Sequence, residues 1–286
     1  MNYQIITDTC CDLPDEMYRE LNLNVVRLTV RYQEKNYTQY DENWLKELYA
    51  GYRAGERATT SAVNPEEWRA GIEPSLKEGK DALVLAFSSG LSTTYQSAVI
   101  AAEELKEEYP DRKILVVDTL CASLGQGLLA YYACQKRDEG MSLEDLYNWC
   151  NDNKLHLCHW FTVDDLMYLK RGGRINAATA LAGTMLKIKP VLHVDDAGHL
   201  VNVSKTRGRK ASIDALAAKL GETGIPDAND TVFICHGDCE EDAQYLEGLL
   251  KEKYGVKKVF YYYTGAVVSA HSGPGTLALF FLGQHR

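Results

Sequence analysis

Apolar positions along the chain change period repeatedly. Residues 82–87 form an unbroken apolar run of strand length, the pattern of a strand buried on both faces. From Tyr95 onward Ala98, Val99, Ala102 and Leu105 fall at helical spacing, and residues 113–118 (KILVVD) return to a buried strand. Strand, helix and strand in that order predict a crossover between parallel neighbours. The chain opens in the same way. A strand over 3–7 leads to a helix carrying DEMYREL, with Asp12 as its cap and Pro14 in its first turn. Strands over 25–32 and 36–40 follow, then a helix capped by Asp41 and closed by Gly51 or Gly55. Residues 57–65 read as a polar loop ahead of a helix starting near Glu66. A helix over 122–139 stops at Gly140, and Ser142 opens another that runs to Cys150.

After about residue 152 the texture changes. Residues 155–163 (LHLCHWFTV) alternate like a strand, and Asp164 is the expected cap of a short helix ended by Gly172-Gly173. Small residues over 177–186 read as a further helix. Residues 188–194 and 200–205 read as a hairpin across Gly198. A helix over 210–220, a strand over 231–236, a helix over 240–254 and a strand over 258–263 complete the pattern. The sequence therefore predicts an α/β protein of two α/β domains, 1–152 and 153–286. The first carries a mostly parallel sheet with flanking helices, the second a mixed sheet with helices.

Composition narrows the function. The 286 residues are 45% hydrophobic and 25% charged, ordinary for a soluble globular protein with ample core. A formal net charge of -9 argues against a nucleic-acid binder working through a general basic field. No window approaches a membrane span, and the first residues lack the basic and apolar regions of a signal peptide, so a cytoplasmic protein is expected. The eight cysteines include no CxxC pair, and in a reducing cytosol most are small core hydrophobes. His156, Cys158 and His159, and Cys235, His236 and Cys239, invite a metal reading, but no tight pair matches another and no metal is expected.

The candidate chemistry lies in turns. Between the apolar run at 82–87 and the following helix stand Ser88, Ser89, Gly90, Leu91, Ser92, Thr93 and Thr94. A strand that ends in a hydroxyl-rich turn and opens a helix presents backbone N–H groups and the positive end of a helix dipole to an anion. One hydroxyl accounts for a helix cap; five point to an anion site. Thr59, Thr60 and Ser61 form a second hydroxyl cluster that could meet the same ligand head. Near the end, His271 precedes the rigid turn Gly273-Pro274-Gly275.

Taken in order, these stretches resemble the DegV family of bacterial fatty-acid-binding proteins almost end to end. The resemblance rests on Asp8 to Leu13, Thr59-Thr60-Ser61, the run from Ser88 to Ala98, Val116 to Thr119, and Tyr168 to Ile175 with its GGRI turn. Lys187 to Pro190 and His271 to Gly275 complete it. It implies two α/β domains with a long-chain fatty acid between them, no further cofactor, and no catalysis. The family's carboxylate-binding hydroxyls carry over to Thr60, or its neighbour Ser61, and to Ser92, with His271 joining them and Arg174 near the site. Thr93 stands where the family commonly has Gly, and Ala62-Val63-Asn64 departs from the family's TSQP run; both departures lie beside the ligand head. The apolar segments 177–186 and 277–282 are candidates for the acyl slot.

Members of the family are thought to hand the acyl group to a fatty acid kinase for conversion to acyl phosphate. Arg207 and Arg209, in the basic run KTRGRK, are the expected docking patch for that kinase or for a transient membrane-surface contact. Two other readings compete. A lipid hydrolase would use Ser92 with His271, although no G-x-S-x-G elbow is present, and a phosphotransferase would want a GxxxxGK[ST] loop that is absent. A purely structural module would carry no lipid.

Overall fold

The computed structural model describes residues 2–176 and 188–286. The first half contains strands β1 (Tyr3–Asp8), β2 (Leu23–Val26), β3 (Thr29–Tyr32), β4 (Lys35–Tyr37), β5 (Ala58–Ser61), β6 (Asp81–Ala86) and β7 (Ile114–Asp118). Its helices are α1 (Asp15–Glu20), α2 (Glu42–Arg53), α3 (Pro65–Lys77), α4 (Thr94–Glu108), α5 (Leu124–Asp138) and α6 (Leu143–Asn153). The second half contains β8 (Leu157–Thr162), α7 (Leu166–Arg171), β9 (Ile188–Val194), β10 (Leu200–Arg207), α8 (Arg209–Thr223) and β11 (Thr231–His236). It ends with α9 (Glu240–Tyr254), β12 (Lys258–Tyr263), α10 (Ala266–Ser272) and β13 (Leu277–Leu282).

The predicted class is the observed one. A parallel four-stranded sheet runs β2-β1-β6-β7, and a mixed six-stranded sheet runs β10-β9-β8-β13-β11-β12, in which only β11 and β12 are parallel. A small antiparallel sheet, β4-β3-β5, is a third layer the sequence pattern did not separate. The expected single strand over 25–32 divides because Leu28 N–H donates to Thr9 Oγ1 at 3.0 Å rather than to a strand partner. Its two ends therefore enter different sheets. The expected polar loop at 57–65 contains β5, paired antiparallel to β3 with Thr60 opposite Val30.

Caps follow the same local chemistry, with two corrections. Asp41 Oδ1 accepts from Trp44 N–H at 2.8 Å, and Ser142 Oγ from Asp145 N–H at 3.2 Å, as expected of cap residues. Asp12 does not cap α1: Pro14 precedes that helix without a side-chain bond, and Asp12 is left-handed (φ 52°) and accepts from Ser123 Oγ at 2.5 Å. At the later helix Asp165, not Asp164, receives the N–H of Met167 at 2.8 Å, while Asp164 pairs with Lys189 Nζ at 2.6 Å.

The core is continuous across the halves. α5 packs on β8, β11 and β13 and shares one apolar cluster with Ile5, Leu83 and Leu85 of the parallel sheet. β13, central in the mixed sheet, splits its side chains by strand alternation. Leu277, Leu279 and Phe281 join the cluster under α8 and α9, whereas Ala278 and Phe280 face the cluster that contains α5. All eight cysteines are free; Cys239 is half-buried and the other seven are buried. Among the described residues no group of His, Cys, Asp and Glu could hold a metal ion, and no helix is long and apolar enough to cross a membrane.

Candidate functional site

A cavity of about 420 Å³ lies where the C-terminal ends of the parallel strands meet the α5 face of the mixed sheet. That volume is within the ~300–1,000 Å³ range of small-molecule sites. Its walls are mostly apolar: Leu28 and Phe87 from the first half, Phe161, Val267, Ala278 and Phe280 from the second. Thr60, Ser92, Thr93, Arg174 and His271 also line it.

Each polar residue is placed by a local rule. On β5, alternation sends Thr60 inward and Ser61 outward, so Ser61 is exposed and does not line the cavity. The turn after β6 divides its hydroxyls between structure and cavity. Ser88 Oγ donates to Gly198 O at 3.0 Å and docks the β9–β10 hairpin, and Thr94 is fully buried beside Ser92, Oγ to Oγ1 2.9 Å. Thr93 occupies the N-cap position of α4 without a capping bond. The expectation of five convergent hydroxyls therefore reduces to Ser89, Ser92 and Thr93 on the cavity wall.

His271 sits in the last turn of α10, which Gly273 (φ 76°) and Gly275 (φ 75°) terminate in conformations that favour glycine. Its Nε2 lies 2.8 Å from Thr60 Oγ1. Its Nδ1 packs against Gly172, where any Cβ would collide with it, and has no hydrogen-bond partner among the described residues. The second glycine of the GGRI turn, Gly173, is left-handed (φ 72°) and brings Arg174 back toward this pair. Arg174 donates from Nε to Leu91 O at 3.2 Å and from Nη1 to Gly172 O.

Burial, and then the charge of Arg174, push His271 down to about 4, so the ring is neutral at physiological pH. With the ring proton on Nε2, His271 donates to Thr60 and leaves the threonine hydroxyl hydrogen free for an anion. A neutral imidazole, hydroxyl donors and one guanidinium at the polar end of an apolar hollow suit a carboxylate with a long apolar tail.

Other expected residues lie apart from this cluster. Arg207 and Arg209 are not among the lining residues; Arg207 is exposed, while Arg209 Nε is bound to Asp242 Oδ2 at 2.8 Å. Of Leu277–Leu282, Ala278 and Phe280 reach the cavity. The other expected slot, 177–186, lies outside the described residues. Sequence reasoning missed Val267, Val268 and Phe161, since an apolar residue facing a cavity looks the same in the chain as one facing a core. His159 also lines the cavity, but its ring is used: Nδ1 bonds Leu157 O at 2.7 Å and Nε2 accepts from Ala122 N–H at 3.2 Å.

A family model described as "Uncharacterised protein, DegV family" matches residues 2–284. A DegV domain-containing protein of Clostridium perfringens is 45% identical over 99% of this chain and 98% of its own length. Among solved structures, one described by the fatty acid binding of a DegV family protein from Thermus thermophilus is 31% identical. It covers 99% of this chain and 100% of that one, with a TM-score of 0.87. Bacillus subtilis DegV, described as a fatty acid binding protein, is 30% identical over 99% and 100%, with a TM-score of 0.82.

Proposed function

The chain belongs to the DegV family, and from that premise we propose that it binds a long-chain fatty acid between its two domains, divided near residues 152 and 153. The observation that carries this reading is one apolar cavity with the Thr60–His271 pair, Ser92, Thr93 and Arg174 at its wall. The carboxylate takes hydroxyl donors and the half-buried guanidinium, and the tail takes the apolar walls. At about 0.8 kcal/mol per buried methylene, a long acyl chain supplies ample drive against the entropy of association. Ser61, being exposed, is the weaker of the two hydroxyls carried over at that position.

The protein acts as a carrier without catalysis of its own, in the cytoplasm. The competing hydrolase would need His271 to activate Ser92. His271 Nε2 instead meets Thr60, Ser92 Oγ meets Thr94, and among the described residues no carboxylate orients Nδ1. The bound acid is presented to a fatty acid kinase that forms the acyl phosphate. Arg207 contributes more to docking than Arg209, whose charge is already engaged by Asp242.

Mass spectrometry of lipid extracted from the purified protein tests the central reading, with titration of palmitate onto delipidated protein as its partner. Absence of both copurified fatty acid and palmitate binding would end it. Steady turnover of an ester, or of ATP with fatty acid, by the protein alone would end the carrier role. The Arg207→Glu substitution should lower phosphorylation of bound acid by a kinase without lowering affinity for the acid.

A further inference from the structure

Two carboxyls near the start of the chain have no part in the site as described. Asp8 is fully buried and Asp12 is 5% exposed. Among the described residues neither forms an ion pair. Taking a carboxyl out of water without a cation is unfavourable, and burial pushes these two up to about 6 and about 7. The contacts of the turn they bracket fall on three segments, and each segment delivers a polar group to the cavity.

Asp8 ends β1. Its Oδ2 accepts from Phe87 N–H at 2.8 Å and its Oδ1 from Cys10 N–H at 2.9 Å. Phe87 is the first residue beyond β6, so this bond sets the direction in which the turn carrying Ser92 leaves the sheet. Thr9 Oγ1 accepts from Leu28 N–H at 3.0 Å, one residue ahead of β3, which holds Thr60 opposite Val30. Asp12 Oδ2 accepts from Ser123 Oγ at 2.5 Å, and its Oδ1 lies against Gly265 so closely that a Cβ there would collide with it. Gly265 immediately precedes α10, whose last turn carries His271. A short helix moves as a rigid piece, so a shift at its first residue reaches the imidazole.

Resting on the fatty-acid reading above, we infer that Asp8 and Asp12 are positioning residues for the carboxylate grip: Asp8 sets the turn that presents Ser92, and Asp12 sets the helix that presents His271. Neither touches the ligand. Each acts through one partner, so its effect on binding disappears when that partner is removed.

The test uses the full chain, delipidated, titrated with palmitate and with hexadecanol, which has the same tail and no carboxylate. Asp12→Asn keeps an acceptor for Ser123 but turns its amide toward Gly265. It should lower palmitate affinity about tenfold and hexadecanol affinity less than about twofold. In the His271→Gln background the same substitution should lower palmitate by less than about twofold, and in the Ser92→Ala background by the full tenfold. Asp8→Asn, whose amide must face one of two N–H donors, should show the reverse pattern: silent without Ser92, fully expressed without His271. Gly265→Ala crowds the Asp12 carboxyl without removing it and has no backbone strain (φ -64°), so it should reproduce Asp12→Asn even if an Asp variant folds poorly. Hexadecanol binding reports folding in every variant. If both ligands weaken together, or if the Asp12→Asn loss persists undiminished without His271, the two carboxyls only hold the fold and the inference falls while the fatty-acid site stands. If the parent protein fails to bind palmitate, the underlying reading falls.

Discussion

The two walls of the cavity are built on different principles. The first-half wall uses strand ends and turns: β5 delivers Thr60, and the turn after β6 delivers Ser89, Ser92 and Thr93. The second-half wall is largely sheet surface: Phe161 on β8, Cys235 on β11, and Ala278 with Phe280 on β13. A turn commits each residue to a special backbone or hydrogen-bonding role, so its chemistry is visible in its composition. A sheet face only requires every second residue to be apolar, whether it meets solid core or hollow.

The sharpest contrast within one wall is on β13. Leu279 is fully buried under α8 and α9, so Leu279→Ala should cost about 2–5 kcal/mol of stability. That loss is measurable by denaturant unfolding, with fatty-acid affinity of the folded fraction nearly unchanged. Its neighbour Ala278 faces the hollow, and Ala278→Trp should leave the fold standing while weakening fatty acid by at least about a hundredfold, as its indole fills acyl space. Equal behaviour of the two variants would erase the distinction between the faces of β13.

The polar wall responds to pH. His271 has a folded pKa of about 4, below the ~6.5 of an unfolded histidine, so the unfolded chain binds the extra proton between those values. The stability this group contributes is complete above about pH 6.5 and is lost as pH falls toward about 4. The buried carboxyls of Asp8 and Asp12, raised to about 6 and about 7 by desolvation, act in the opposite sense over an overlapping range. The comparison is therefore between parent and His271→Gln. The variant should lose about 1–3 kcal/mol less on acidification across that window, read from thermal melts of delipidated protein.

Thr60→Val should lower fatty-acid affinity about tenfold or more while leaving a fatty alcohol of equal length almost unaffected. Loss of both ligands together would mean that Thr60 shapes the apolar wall instead of holding the anion. Ser61→Ala, one residue along and on the outer face, should change affinity by less than about twofold. A larger effect at Ser61 than at Thr60 would reverse the assignment of faces on β5.

Much of the fold was legible because period and caps are local. The crossover from β6 through α4 to β7, the hairpin across Gly198 and the caps at Asp41 and Ser142 follow from spacing and short-range hydrogen bonds. Asp12 misled for the same reason. In the chain it stands near a helix start, but its carboxyl is spent on Ser123, 111 residues away. The motif residues Thr60, Ser92 and His271 stood out because turns with many hydroxyls, or a histidine before Gly-Pro-Gly, are poor core material.

The sequence by itself therefore determined the elements, their alternation and the chemical types available for an anion. Only the tertiary structure decided which of those groups meet. It brought His271 to Thr60 across 211 residues, turned Ser61 away, and used Ser88 to fasten a hairpin. It also decided which apolar side chains face a hollow and which face one another. Local propensities act over a few residues, whereas a cavity is the space left where two independently patterned sheets fail to close, and no single stretch of chain encodes that gap.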